Sequence, residues 1–256
     1  MDNSCICAPI HEPKFVFGRQ FVKSYNDLFV DIDIFLVFSS QELADKFKNI
    51  NADLRYHTLV VDSNLITVKK WYGVDTIFKT TDMKYVGVVD VDSCFIKNKN
   101  YSELFHTYYS NRIIYGHFSI HPQNIHRESQ ARFDKNQQNI IEKKVYKQDK
   151  VFYFWFNNIP IYERNDFAEF KRVININTAT WGAFDYIVYG YYLLLIDKFK
   201  MYDFDNAHND MNMSILECSN DSSILEVIQP MWLRKKFITT NSVILNNVFM
   251  QFHVDR

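Results

Sequence analysis

The sequence predicts an α/β fold, a mainly parallel sheet flanked by helices, with a smaller second half following it. Strand-like and helix-like segments alternate without a break from residue 5 to residue 89. Tyr85-Val86-Gly87-Val88-Val89 is apolar on both faces, as a strand covered on both sides must be. A 256-residue chain with 47% hydrophobic content can bury one substantial core. The βαβαβαβ order then implies parallel strands joined by helical crossovers.

Taken in order, Cys5 to Ile10 reads as a short buried strand, Lys14 to Leu28 as a helix and Ile32 to Phe38 as a second strand. Ser39-Ser40-Gln41-Glu42 offers an N-cap three residues ahead of an acid, which starts a helix running to Asn49. Leu59-Val60-Val61 is a third strand, Ile66 to Lys79 a helix and Tyr85 to Val89 the fourth strand. Beyond it, Ile113 to Ile120 and Val151 to Phe156 read as strands, Arg127 to Lys147 as a polar helix or arm, and Ala183 to Phe199 as an apolar helix. No linker-like run divides the chain, so one domain over 1–256 is expected, its first hundred residues forming one half.

Composition narrows the function. With 29 basic and 30 acidic residues, no bulk charge draws the surface to nucleic acid or an anionic membrane. The N-terminus lacks a basic and then apolar leader, and Tyr186 to Ile196 is too short to span a bilayer, so a cytoplasmic protein without a membrane span is expected. Cys5, Cys7, Cys94 and Cys218 form no Cys-x-x-Cys pair and read as reduced. Walker-type, Gly-x-Gly-x-x-Gly and Gly-x-Ser-x-Gly loops are absent.

The chemistry concentrates where the fourth strand runs into Asp90-Val91-Asp92. On an extended backbone alternation puts Asp90 and Asp92 on one side, where both can face one hard cation or a phosphate-bearing ligand. Strand ends of α/β sheets are where ligands bind. The same spacing also arises in a structural cap or turn.

With the opening strand and loop Cys5 to His11 and the pair Lys69-Lys70 about twenty positions ahead of the acids, the chain resembles nucleotide-sugar-dependent glycosyltransferases of the GT-A type. Their Rossmann-like N-terminal half ends in a strand followed by a D-x-D motif, and the resemblance covers residues 5 to 100. It implies a nucleotide-sugar donor, UDP being the commonest, a carbohydrate acceptor, and Mn²⁺ or Mg²⁺. Asp90 would touch the ribose or the metal, and Asp92 would bind the metal. Pro9, Ile10 and His11 would line the nucleobase, with Val91 beside the nucleotide, Lys69 or Lys70 near the nucleotide or sugar, and Asp62 a further nucleoside contact. Many members add a late metal ligand, often His, and His253 in Gln251-Phe252-His253 is the matching candidate.

An inverting transfer needs a base for the acceptor hydroxyl. Asp185, a polar residue opening an apolar helix, is the candidate, with Trp181 to stack on the acceptor and Gly182 to permit close approach. Asp185 could equally complement the helix dipole. Asp203 to Asp210 departs from a calcium loop at Ala207 and His208 and reads as a polar loop, with His208 near the acceptor. Two rival readings stand beside the transferase. Haloacid-dehalogenase-like phosphohydrolases also carry a D-x-D, but after their first strand, whereas here it follows the fourth and continues Ser93-Cys94. A non-catalytic carbohydrate- or nucleic-acid-binding module would use the short basic clusters Lys143-Lys144 and Arg234-Lys235-Lys236.

Overall fold

In a computed structural model, residues 3–95, 98, 100–120, 123–154, 160–178 and 183–203 are described, with strand fragments at 228–229 and 249–251. The first half follows the expected alternation: β1 (Ser4–Pro9), α1 (Phe15–Asp27), β2 (Asp33–Phe38), α2 (Gln41–Asn49), β3 (His57–Val60), α3 (Ile66–Thr80) and β4 (Tyr85–Val88). A short β5 (Ser93–Phe95) and α4 (Tyr101–Asn111) come next. The second half contains β6 (Ile113–Ser119), α5 (Gln123–Gln130), α6 (Lys135–Val145), β7 (Tyr146–Lys147), β8 (Lys150–Tyr153), β9 (Ile161–Glu163), α7 (Arg164–Val173), α8 (Asp185–Leu195) and β10 (Lys200–Asp203), with fragments β11 (Ile228–Gln229) and β12 (Phe249–Gln251).

The central sheet has the order β3-β2-β1-β4-β9, the first four strands parallel and β9 antiparallel at the edge. This is the mixed α/β architecture, a mostly parallel sheet flanked by helices, that the alternation implied. Its two faces follow from the pleat. Ile10 and Phe38 turn to one side, where Phe38 meets Phe15 of α1 and Phe47 of α2. Cys7 and Val37 turn to the other, under α3. A Cβ on Gly73 would stand 2.8 Å from both Cys7 Sγ and Val37 Cγ2, so only glycine lets α3 lie this close to the sheet. Beyond α3, Trp71 packs on Phe170 of α7, and Phe170 on Tyr189 of α8. On the α1 side Phe95 of β5 fills the space between Phe21, Tyr25 and Tyr101.

A second sheet, β10-β6-β8-β7, pairs β10 parallel with β6 across a long stretch of chain, Lys200 opposite Ile113. Three expectations change here. The single segment 127–147 is two helices, because Asp134 and Gln137 form a reciprocal capping box that starts α6 and buried Phe133 anchors the joint. The apolar helix begins at Asp185 rather than Ala183 and ends at Leu195. The strand expected over 151–156 runs from Lys150 and ends at Tyr153, with Phe154 past its end and 155–156 outside the described residues. Elements β5, β9, α4 and α7 carry no sequence assignment, and the two strands have three residues each, too few to show a period. Cys5 and Cys7 are free and buried and Cys94 is half-buried, while Cys218 lies outside the described residues. No described helix is long and apolar enough to cross a membrane.

Candidate active site

The strand order reverses between β1 and β4. From β1 the chain moves outward to β2 and β3, and α3 then carries it back past β1 to β4 on the other side. Doubly wound sheets bind ligands beyond the carboxyl ends of their strands at such a point.

Asp90 lies two residues past the end of β4. Val86 and Val88 pair with Cys5 and Cys7, so continuing the pleat places Asp90 on the face that α3 covers. There Lys70 of α3 sets its Nζ 3.0 Å from Asp90 Oδ1 and 3.4 Å from Asp185 Oδ1. Asp185 is the first residue of α8, and its Oδ2 accepts a hydrogen bond from the Tyr162 hydroxyl at 3.0 Å. Tyr162 comes to the same face because β9 pairs it with Val86. Four elements thus deliver one ammonium, two carboxylates and one phenol to a single spot.

Burial by itself would push the Lys70 ammonium down, but the charges of Asp185 and Asp90 outweigh it and hold the group well above its usual range. Asp185 is raised, burial first, with the nearby Asp90 charge adding and Lys70 only partly offsetting it. One cation cannot neutralise two carboxylates, and the surplus falls on the buried acid: the Asp185 side chain is 2% exposed, that of Asp90 25%.

Neighbouring Lys69 points elsewhere. Its Nζ donates to the Ile10 carbonyl and to Ser39 Oγ, both at 3.2 Å, and burial lowers its pKa. Ser39, expected as the cap of α2, is not the cap; Ser40 is, accepting from Leu43 N at 3.3 Å, which leaves the Ser39 hydroxyl to Lys69.

Asp92 departs from the expected geometry. The strand ends at Val88 and a turn follows, with Ser93 N donating to the Asp90 carbonyl at 3.1 Å. Asp90 and Asp92 therefore do not lie on one extended backbone. Asp92 instead meets Lys14, just ahead of α1, with Lys14 Nζ 3.5 Å from its Oδ2. After the turn, β5 pairs antiparallel with β12, Gln251 opposite Ser93, so a C-terminal strand runs beside the acids.

The remaining sequence candidates separate clearly. Pro9, Ile10 and Val91 are buried, His11 is half-buried and Asp62 is exposed. Trp181, Gly182, His208 and His253 lie outside the described residues. Lys14, Ser39 and Tyr162 touch the candidate residues although the sequence does not single them out: Lys14 reads as the start of a helix, Ser39 reads as a cap, and Tyr162 precedes a helix with no sequence assignment. Among the described residues no three His, Cys, Asp or Glu side chains converge as a metal site. Hard carboxylate oxygens are nevertheless the right donors for Mg²⁺, which is commonly held by one or two carboxylates and completes its shell with water and substrate phosphates.

No protein-family profile and no curated protein matches the sequence. Among solved structures, Staphylococcus aureus TarS, a glycosyltransferase, aligns over 78% of this chain with a TM-score of 0.44 and 11% identity. The chain spans 35% of the length of TarS. A likeness at this level transfers neither residue roles nor substrate.

Proposed function

We propose that this protein is a glycosyltransferase that moves a sugar from a nucleotide diphosphate donor, UDP-sugar as first choice, to a hydroxyl of a glycan acceptor. The observation that carries the reading is the cluster of Asp90, Lys70 and Asp185 at the point where the strand order reverses, with Asp92 one turn further on. Together with the D-x-D resemblance, this net negative cluster favours a divalent cation and, through it, an anionic ligand at the carboxyl ends of β1 and β4.

Mn²⁺ or Mg²⁺ held by Asp90 and Asp92 would neutralise the departing diphosphate and lower the barrier to breaking the sugar C1–O bond. His253 is proposed as a further ligand: it stands two positions past Gln251, a reach of about 7 Å at most, and Gln251 lies opposite Ser93. Lys69, whose two hydrogen-bond partners are neutral oxygens, keeps its charge for a phosphate. Pro9, Ile10 and Val91 would meet the nucleotide through backbone, since their side chains are buried, and His11 and Asp62 through side chains. Asp185 is proposed as the base; each of its oxygens has one partner and can accept another hydrogen bond, but its side chain is 2% exposed, so the residues covering it must move for an acceptor hydroxyl to reach it. Trp181, Gly182 and His208 are assigned to the acceptor side.

Thermal-shift titration with UDP, GDP and their sugars, with and without Mn²⁺, tests the reading. At a hundredfold excess over Kd, stabilisation on the order of 5 °C is expected, requiring nucleotide and metal together. Asp92→Asn should remove the metal-dependent part, read as the shift from the variant's own free melting point, because loss of the pair with Lys14 lowers that baseline. A full shift in that variant sinks the assignment, and stabilisation by phosphate analogues alone selects the phosphohydrolase reading.

A further inference from the structure

Lys14 has no role in the transferase reading, yet it stands against the motif acid. The 3-10 turn Glu12–Lys14 follows directly on the end of β1, and the turn after β4 swings Asp92 toward it. Both side chains are largely out of solvent, 16% exposed for Lys14 and 11% for Asp92, at a separation of 3.5 Å. The ammonium also lies 5.3 Å from the centre of the Phe17 ring, which favours a cation there. Asp90 has its own cation in Lys70. Each acid of the pair is therefore matched by a separate lysine from a separate element.

We propose that Lys14 is the resident counter-cation of Asp92, which a divalent ion must displace, and that the displaced ammonium then serves the diphosphate of the nucleotide. The inference rests on the transferase reading for its ligand. A divalent ion on Asp92 and an ammonium within hydrogen-bonding range of the same carboxylate repel each other, so the lysine weakens metal binding to the free protein. A nucleoside diphosphate brings the anion that accommodates both cations. Lys14 thus couples metal and nucleotide binding, opposing the ion alone and supporting it once the diphosphate is present.

The two substitutions Lys14→Met and Lys14→Gln give a test with opposite signs. Mn²⁺ binding is followed through the paramagnetic resonance signal of the free aquo ion, and UDP binding in EDTA by calorimetry. Without nucleotide, both variants should bind Mn²⁺ about tenfold more tightly, the effect of losing a competitor worth roughly 1.4 kcal/mol. In EDTA both should bind UDP more weakly than the parent. A purely structural Lys14 would weaken both ligands together, and that result overturns the proposal. Mn²⁺ affinity unchanged by either substitution overturns it too, while leaving the transferase reading intact if UDP and Mn²⁺ still bind cooperatively. No Mn²⁺ and no UDP binding by any form, the parent included, overturns both.

Discussion

One ammonium held between two carboxylates gives Lys70 a structural weight that its position in a basic pair does not suggest. Removing it would leave Asp185 buried and uncompensated, with only the Tyr162 hydroxyl on its Oδ2. Breaking one side of a buried pair typically costs about 3–5 kcal/mol, largely for the stranded charge. Lys70→Met should lose stability of that order in urea unfolding, and Lys70→Met with Asp185→Asn should lose clearly less than the sum of the two single changes. Additive losses would mean that the two groups do not act as a pair. At this scale the sequence was informative about residue types: Asp90, Lys70 and Asp185 all stood out as candidates. Their meeting was not legible, because it depends on the pleat phase of β4, the packing of α3 and the register of β9, and none of these is a local property. The same limit explains Asp92. Alternation holds only while the backbone is extended, and nothing in Val88-Val89-Asp90 announces that the strand has stopped.

Among the elements, α3 shows how neighbouring lysines acquire different surroundings. Successive residues on a helix point about 100° apart, so Lys70 looks toward β4 and α8 while Lys69 looks toward β1 and β2. The far end of α3 is fixed by Arg164, the first residue of α7. Its Nε donates to the Met83 carbonyl at 2.9 Å and its Nη2 to that of Thr81 at 2.8 Å, and Nη1 reaches the Phe78 carbonyl. These are carbonyls at and just beyond the helix end, which otherwise lack partners. A lysine restores the charge but not the planar fork. Arg164→Lys should therefore still lose about 2–3 kcal/mol, the scale of hydrogen bonds to a charged donor, as a lowered urea midpoint with unchanged slope. A midpoint matching the parent would show that the fork is dispensable. The apolar helix α8 was readable from sequence, whereas α7, amphipathic but short and charged, was not; the joint between α5 and α6 also carried its sign, since Asp134 and Gln137 have the spacing of a capping box. What concealed it was the polar, Gln- and Asn-rich composition on both sides.

For the whole molecule, the two halves differ in how their strands find one another. In the first half two of the three parallel pairs, β1–β2 and β2–β3, are joined through a single helix, so the order of segments largely determines the sheet and only the return of β4 to the far side of β1 is left open. In the second, β10 pairs with β6 from residue 200 back to residue 113, a contact that no short-range pattern encodes. The packing of this second half rests partly on a buried imidazole. His126 of α5 hydrogen-bonds through Nδ1 to the Tyr191 hydroxyl of α8 and lies against the Phe154 ring. Burial lowers its pKa from 6.5 to about 4. Above the unfolded value both states are neutral, and the contribution of this histidine to stability is complete. As pH falls, the unfolded chain takes up the proton first, so stability drains away between 6.5 and about 4. The full loss is about 3 kcal/mol, from the free energy equivalent of one pKa unit. Carboxylates dominate at the acid end of that range, so the informative interval is pH 6.5 to 5. Denaturant unfolding across it should show stability falling with pH in the parent and a flatter dependence in His126→Gln, whose side chain does not titrate. An equal slope in the two proteins would place the acid sensitivity in another group and leave the His126–Tyr191 contact with only a packing role.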